Sequence, residues 1–343
     1  MNIDINKLVR QNIINLSPYS SARDEFSGTE GVFLDANENP NGKYNRYPDP
    51  HQAELKKVLG EVKSVSPENI FLGNGSDEVI DLIFRVFANP GKDKTIICSP
   101  TYGMYEVSAN INDVEIVNIP LLPNFQLNKE AIFETIEQDK SVKLIFICSP
   151  NNPTGNLIED IEEIIEKFNG IVVVDEAYID FSPQSSKAQA INSYNNLIVS
   201  QTLSKAWGLA GIRVGFAFAQ SEIIALLNKI KPPYNISTLN QQQAIARLSQ
   251  PENFEVERDK VLSERVRLEE QLMQLPIVRK VYPSSANFLL IEVDNANNVY
   301  NLLVGKNVIV RNRDTVIKNC IRVTIGTKAE NGRLLKELKK ISQ

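Results

Sequence analysis

One short segment of this sequence carries the residue types that imine chemistry requires. Lys205 follows the hydroxyls of Thr202 and Ser204 by three residues and one residue, and Arg213 comes eight residues later. A lysine that forms an imine needs a shielded pocket and a neighbour that lowers its pKa. Hydroxyls and a planar cation are typical ligands of a phosphate. The segment can supply both, although a lone lysine is more often a surface residue.

Four further polar segments each follow an apolar run. They are Gly73-Asn-Gly-Ser76-Asp77, Ser99-Pro-Thr-Tyr102, Ser149-Pro-Asn-Asn152-Pro-Thr-Gly155 and Asp175-Glu-Ala-Tyr178. In open α/β sheets, ligands bind beyond the carboxyl ends of the strands. If the apolar runs are neighbouring strands, we expect the polar segments and Lys205 to line one cleft.

Each of these segments also has a purely structural interpretation. Ser76 with Asp77 is an ordinary helix start, although the same helix N-terminus can hold a phosphate. Asn152-Pro-Thr-Gly155 by itself is typical of a turn, and Tyr102 of a packed aromatic. Asp175 is harder to explain in this way, because an acid at the end of a buried strand needs a partner. The functional interpretation is favoured by the set of segments, not by any one of them.

The elements that must position these residues follow an α/β pattern from about residue 69. Apolar, β-branched runs alternate with amphipathic ones, which predicts a mostly parallel sheet covered on both faces. We predict a helix that begins near Ser76 and helices over 129–138 and 158–168. The predicted strands lie at 69–72, 95–98, 115–119, 144–148, 171–174, 197–200 and 214–218.

The pattern changes after residues 231–235 and predicts a smaller α+β domain. Its expected elements are a helix over 252–275, strands at 286–293, 307–311 and 320–325, and a helix over 328–341. We therefore expect a large α/β domain over 30–250 and a small domain built from 1–29 and 251–343. Residues 1–30 show no clear period and are expected to pack against the small domain or a partner subunit.

Composition narrows the function classes. The net charge of −5 does not favour nucleic-acid binding, and no apolar run approaches the roughly 20 residues of a membrane span. The start of the chain lacks the pattern of a signal peptide, and three separated cysteines are typical of buried thiols in a reducing compartment. We expect a cytoplasmic protein. With His51 as the only histidine, we expect no metal centre, and a Ser-His-Asp mechanism is disfavoured.

Taken together, the motifs resemble those of pyridoxal-phosphate-dependent aminotransferases of fold type I, class II. The general motifs are Asn152-Pro-Thr-Gly155, Asp175-Glu-Ala-Tyr178 and Ser204-Lys205 with Arg213. The narrower ones, typical of the histidinol-phosphate aminotransferase family, are residues 34–40, 46–50, 73–78, 102–105 and 308–313. The resemblance covers residues 16–327, nearly the whole chain.

The resemblance implies a role for each residue around the cofactor, pyridoxal 5'-phosphate. Lys205 is expected to form the internal aldimine and later to move the proton. Asp175 pairs with the pyridine nitrogen, Tyr178 and Asn152 bind the phenolic oxygen, and Tyr102 stacks on the ring. The phosphate is expected to be bound by Ser76, Asp77, Thr202, Ser204 and Arg213, and by Tyr47 of a second subunit in a homodimer.

For the substrate, the resemblance implies a second set of contacts. Arg322 is expected to bind the carboxylate of glutamate or the phosphate of histidinol phosphate. The other expected substrate contacts are Tyr19, Asn37, Asn152 and Arg311. Arg313 departs from the residue expected at its position, so its role stays open.

The function that the resemblance implies is a ping-pong transamination in histidine biosynthesis. Histidinol phosphate and 2-oxoglutarate would give imidazole acetol phosphate and glutamate. An aromatic amino-acid aminotransferase and a phosphothreonine decarboxylase of the same fold remain alternatives. A non-catalytic regulator that binds pyridoxal phosphate is a further alternative, but residues 1–30 are too short for the DNA-binding module such proteins carry.

Overall fold

A computed structural model of the chain describes residues 3–20 and 31–342. Its larger sheet has the strand order β1-β7-β6-β5-β4-β2-β3, in which β7 runs antiparallel to both neighbours and the other pairs are parallel. The mostly parallel sheet that the sequence predicts is therefore confirmed. Its strands are β1 (Ile70–Gly73), β2 (Lys94–Ile97), β3 (Glu115–Asn118), β4 (Val142–Cys148), β5 (Ile171–Asp175), β6 (Leu197–Thr202) and β7 (Gly215–Phe218).

Helices cover both faces of this sheet. Successive residues of a strand point to opposite faces, and along β4 Leu144 and Phe146 join one buried cluster while Ile145 and Ile147 join the other. Both clusters are fully apolar at the sheet, which explains why the strands are continuous apolar runs.

The helices of the described residues are as follows. The α-helices are α1 (Gln11–Ile14), α2 (Ala53–Lys63), α3 (Ser76–Phe87), α4 (Met104–Ile111), α5 (Lys129–Gln138), α6 (Ile161–Lys167), α7 (Ser221–Ile230), α8 (Thr238–Leu248), α9 (Pro251–Leu272), α10 (Ala296–Val304) and α11 (Lys328–Ile341). Short 3₁₀ turns lie at Ile5–Lys7, Pro67–Asn69, Ile179–Phe181, Lys187–Ala190 and Ala210–Ile212. None of the helices in residues 3–20 and 31–342 has the length and apolar composition of a membrane span.

A second, antiparallel sheet has the order β10-β11-β9-β8 and packs with α9, α10 and α11 around its own core. Its strands are β8 (Val278–Val281), β9 (Phe288–Val293), β10 (Arg311–Asn312) and β11 (Cys320–Thr324). The strand predicted at 307–311 is wrong: Val308 and Val310 pack against the core without pairing, and pairing starts only at Arg311. β8 was not predicted.

The described part of the N-terminal segment packs against the larger sheet's helices, not against the second sheet. Ile5, Val9 and Ile13 recur at every fourth position and belong to the same buried cluster as α3. The backbone N–H of Arg10 donates to the carbonyl of Val86, at 2.9 Å. The domain boundaries at 30–250 and at 1–29 with 251–343 stay predictions.

Candidate active site

One cleft lies where β4, β5 and β6 end and where α3 begins. Besides Cys148 and Ala177, which the sequence did not single out, every residue that lines it had been predicted. These residues are Ser76, Asp77, Tyr102, Asn152, Asp175, Tyr178, Thr202, Ser204, Lys205 and Arg213. The strand-end polar segments thus converge as the parallel sheet requires.

Asp175 is the buried acid at the bottom of this cleft. The Tyr105 hydroxyl donates to its Oδ2 at 2.6 Å, and the backbone N–H of Ala177 donates to Oδ1 at 3.1 Å. Burial raises the pKa of the Asp175 carboxyl, and these two hydrogen bonds oppose that rise. Lys205 also favours the ionised carboxylate through its charge, while Asp77 opposes it, but within the described residues no cation forms an ion pair with Asp175. The site therefore favours a cationic ligand atom next to Asp175.

Tyr105 is a site residue that the sequence reasoning missed. It is fully buried on α4 and stacks on Phe146 of β4, with ring centroids 5.0 Å apart. The motif Tyr102-Gly-Met-Tyr105 contained the signal, but only Tyr102 was given a role. The second tyrosine lies one helical turn behind the first and reaches the acid from below the cleft.

The end of the cleft near α3 is shaped by two glycines. A Cβ atom on Gly75 would lie 2.5 Å from Nη2 of Arg213, and one on Gly215 would lie 2.2 Å from the backbone N of Ser76. Gly75 also has a φ of +81°, which favours glycine. The absence of these two Cβ atoms lets β7 and Arg213 approach the first turn of α3.

This approach assembles a set of anion-binding groups. The free N–H groups of a helix N-terminus attract a phosphate, and here Ser76 opens the helix. The hydroxyls of Thr202 and Ser204 lie 3.0 Å apart beside it, and Arg213 adds a guanidinium. Arg213 Nη2 lies 3.5 Å from Asp77, so its donors are only weakly engaged within the protein.

Asp77 also orients the aromatic residue on the other side of the cleft. The Tyr102 hydroxyl donates to Asp77 Oδ1 at 3.0 Å, and the Tyr102 ring contacts Tyr105 edge-on at 5.6 Å. Two contacts of this kind hold the ring at the cleft wall, where a planar ligand can stack on it.

Lys205 extends into the cleft from the loop after β6. Its Nζ lies 5.7 Å from the centre of the Tyr178 ring. Burial and then the nearby Arg322 lower the pKa of the amine, while Asp175 and Asp77 oppose that shift. A larger fraction of Lys205 is therefore neutral than of a free lysine, as a nucleophile or base requires.

Arg322 joins the second sheet to the cleft. Its Nη1 donates to Oδ1 of Asn152, which follows β4, and its guanidinium lies 5.0 Å from the Phe288 ring. Its Nε is buried without a hydrogen-bond partner. Arg322 thus has donor capacity left beside the cleft, which suits an anionic substrate.

Five of the predicted residues do not line the cleft of this single chain: Arg322, which contacts it through Asn152, and the four that follow. Tyr47 is 51% exposed and stacks on Tyr234 with centroids 4.4 Å apart; it lines a separate depression with Asn37. Tyr19 is 74% exposed and lines another open pocket, and Arg311 is exposed on β10. The roles given to all of these residues, inside and outside the cleft, stay predictions.

Comparison with known proteins decides the family. Residues 12–338 match the family model described as aminotransferase class I and II. The chain belongs to that family. It is 52% identical over 345 residues to a histidinol-phosphate aminotransferase of Christiangramia forsetii and 53% identical over 341 residues to one of Parabacteroides distasonis. Each match covers 98% of both chains.

Superposition on a solved structure shows that the chain also has the fold of this family. The histidinol-phosphate aminotransferase of Clostridium acetobutylicum superposes with a TM-score of 0.80 at 27% identity, over 87% of this chain and 91% of that one. The sequence-based assignment to fold type I aminotransferases is confirmed.

Pyridoxal phosphate, the cofactor of this fold, fits the groups in the cleft. Asp175 requires a cation, which a protonated pyridine nitrogen supplies. The start of α3 with Arg213 offers donors for a phosphate, and Lys205 offers a partly neutral amine for the aldehyde. No group of three or more His, Cys, Asp or Glu side chains in the described residues is arranged to hold a metal ion.

The substitution Asp175→Asn tests the charge state of the buried acid. The amide removes the charge and keeps partners for Tyr105 and Ala177. Because burial raises the Asp175 pKa, the acid destabilises the cofactor-free protein, and this penalty is full above the folded-state pKa. It shrinks as the pH falls below that pKa and disappears near the lower pKa of the unfolded chain. At about pH 8 we expect the cofactor-free variant to melt at an equal or higher temperature than wild type, with a difference that shrinks at lower pH.

With pyridoxal phosphate added, we expect the wild-type protein to melt at a higher temperature than Asp175→Asn, because the variant lacks the charge that holds the ring nitrogen. Thermal melts with and without cofactor measure both effects. Asp259→Asn, on the exposed face of α9, is the matched control and should change neither. A cofactor-free Asp175→Asn protein that is less stable than wild type at every pH would contradict the assignment.

Proposed function

We propose that this chain transfers the amino group of histidinol phosphate to 2-oxoglutarate, giving imidazole acetol phosphate and glutamate, a reaction of histidine biosynthesis. The observation that carries the proposal is the convergence of Lys205, Asp175 and the phosphate-binding groups in one cleft. The two relatives that are more than 50% identical over nearly the whole chain bear the name of this activity. The aromatic aminotransferase and decarboxylase alternatives have no comparable support.

Bound pyridoxal phosphate supplies an electron sink for the negative charge that develops at the substrate carbon bearing the nitrogen. Asp175 keeps the proton on the pyridine nitrogen, and it does so well because its carboxylate is buried and forms no ion pair within the described residues. Tyr102 limits movement of the ring at the cleft wall, and Arg213 with the first turn of α3 holds the phosphate in place.

Lys205 is the group that moves the proton. With cofactor and substrate bound, its Nζ would accept the proton from the substrate carbon and would give it up again within the same half-reaction. The lowered pKa increases the fraction of the neutral amine, the form that accepts the proton. His51, the only histidine of the chain, lines a different pocket, so it does not compete for this role.

Arg322 allows one site to accept two substrates in turn. Histidinol phosphate and glutamate share an amino-bearing carbon but carry a phosphate ester and a carboxylate, respectively. A planar guanidinium binds either anion with two parallel hydrogen bonds. Its link to Asn152 fixes it beside the reacting carbon, which fits a ping-pong order in which one substrate leaves before the next binds.

The purified protein, reconstituted with pyridoxal phosphate, should form glutamate from histidinol phosphate and 2-oxoglutarate. Lys205→Ala should abolish turnover, by at least about 10³-fold, and remove the visible absorption band of the bound cofactor. Lys143→Ala is the control and should behave as wild type, because this half-buried lysine of β4 lies outside the cleft and its Nζ donates to a backbone carbonyl.

Two results would overturn this function. Phenylalanine or phosphothreonine turned over in preference to histidinol phosphate would favour the aromatic aminotransferase or the decarboxylase. A colourless wild-type protein after reconstitution, with no turnover of any of the three, would favour a protein without this cofactor chemistry.

We also propose that the chain acts as a homodimer in which Tyr47 reaches the cofactor phosphate of the second subunit. The structure of one chain leaves Tyr47 outside its own cleft, half exposed, although the family motif contains it. Two further exposed apolar side chains, Tyr44 and Leu239, line the same depression. A surface of this kind supports a second copy as its cover.

Co-expression of two tagged variants tests this arrangement. Tyr47→Ala should weaken cofactor binding roughly tenfold, as expected for loss of one hydrogen bond to a charged group. A heterodimer of Tyr47→Ala with Lys205→Ala should regain one intact site, built from Lys205 of one chain and Tyr47 of the other. Activity at limiting cofactor that exceeds that of both parents supports the proposal. If the purified heterodimer is no more active than its parents at limiting cofactor, the proposal is wrong. Tyr47 then belongs to the site of its own subunit or to neither site.

We further propose a cytoplasmic location. Cys98, Cys148 and Cys320 are all buried and free of disulfides, which suits a reducing compartment. Cell fractionation in the native host tests this, and recovery of the protein outside the cytoplasm would contradict it.

A further inference from the structure

A row of arginines lies on one face of the second sheet. Arg311 on β10 pairs directly with Arg322 on β11, and the backbone N–H of Arg313 donates to the carbonyl of Cys320 at 2.9 Å. Residues two apart on an extended strand point to the same face, and so do directly opposed residues. Arg311, Arg313 and Arg322 therefore share the face from which Arg322 reaches Asn152.

The charges of this cluster interact with each other and with the cleft. Burial and then the positive charges of Arg322 and Arg311 lower the pKa of Arg313 to about 10, and Tyr178 partly offsets this. Tyr178 lines the cleft, so the interaction places Arg313 close to it. Neither Arg313 nor Arg322 lines the cleft itself, and Arg322 contacts it through Asn152.

In the described part of the chain, these guanidinium groups have no acid that neutralises them. Within residues 3–20 and 31–342, none of the three forms an ion pair with a carboxylate. Asp314, the neighbour of Arg313, is bound by Lys318 and by the backbone N–H of Asn319. The Nε atoms of Arg313 and Arg322 are buried without hydrogen-bond partners. Like charges side by side, with unsatisfied donors, are unfavourable unless an anion binds between them.

We propose that Arg313 completes a three-guanidinium site, with Arg311 and Arg322, for the phosphate ester of the amino donor, and that it selects a phosphate over a carboxylate. The inference rests on the proposed function. It gives a role to a residue that departs from the family pattern and that the sequence left without one.

The chemistry of the two substrates explains the selectivity. The carboxylate of glutamate is attached directly to the amino-bearing carbon, within reach of Arg322. The phosphate of histidinol phosphate is separated from that carbon by a methylene and an ester oxygen, and it carries up to two charges on three terminal oxygens. The additional phosphate oxygens need donors besides Arg322, and Arg313, which shares its face of the sheet, has a buried Nε without a hydrogen-bond partner.

Histidinol and histidinol phosphate, which differ only in the phosphate, provide the test. In Arg313→Gln we expect kcat/KM for histidinol phosphate to fall roughly 10- to 100-fold, the range for a lost hydrogen bond to a charged group. We expect kcat/KM for histidinol, and for 2-oxoglutarate in the second half-reaction, to stay within about threefold of wild type. Inorganic phosphate, as a competitive inhibitor against histidinol phosphate, should lose affinity to a similar extent.

Two further variants serve as controls. Arg313→Lys keeps the charge without the planar fork and should recover part of the loss. Arg333→Gln removes an exposed arginine of α11 that donates to the Lys306 carbonyl, and it should leave both substrates unaffected. The unchanged 2-oxoglutarate half-reaction shows that the Arg313→Gln protein is folded and loaded with cofactor.

The outcomes separate this inference from the proposed function. Suppose that wild type uses histidinol phosphate. If Arg313→Gln leaves kcat/KM for histidinol phosphate unchanged, or lowers kcat/KM equally for histidinol phosphate, histidinol and 2-oxoglutarate, the inference is wrong and the function stands. If wild type does not use histidinol phosphate but is stabilised against heat by inorganic phosphate, and Arg313→Gln is not, the function is wrong and the anion site stands. If wild type neither uses histidinol phosphate nor responds to inorganic phosphate, both are wrong.

Discussion

The buried carboxylate of Asp175 is the constraint on which the rest of the cleft depends. An ionised acid at the end of the apolar strand β5 is costly. The protein offsets that cost with two neutral donors, Tyr105 and the backbone of Ala177, and with the more distant charge of Lys205, which forms no ion pair with it. A ligand with a cationic ring nitrogen removes the remaining penalty. The same charge then makes the ring a better electron sink, so the instability of the empty cleft and the chemistry of the loaded one have one cause.

The other groups of the cleft follow from the need to hold such a ligand at three points. Gly75 and Gly215 let β7 approach α3 so that a phosphate meets helix N–H groups and Arg213 together. Lys205 reaches the opposite end from the loop after β6. The second sheet contributes arginines to the substrate side of the cleft, and Arg322 is linked there to Asn152. Their positive charge suits anionic substrates.

Much of this arrangement is predictable from sequence because it is local or follows from the sheet. Apolar runs gave the strands of the larger sheet, and their carboxyl ends had to meet, so Asp175 and Lys205 could be placed in one cleft. Tyr105 was missed because its contact with Asp175 forms only after α4 packs against β2 and β3 in the folded protein. The strand expected at 307–311 failed because Val308 and Val310 are apolar for core packing, not for pairing. The role proposed for Tyr47 involves a second chain, and the structure of a single chain does not position it.

The most direct test of this account is the protonation state of the ring nitrogen. Protein reconstituted with pyridoxal phosphate labelled with ¹⁵N at the ring can be measured by NMR at neutral pH. The account predicts the chemical shift of a protonated pyridine in the wild-type protein and of an unprotonated one in Asp175→Asn. An unprotonated ring nitrogen in the wild-type protein would contradict it.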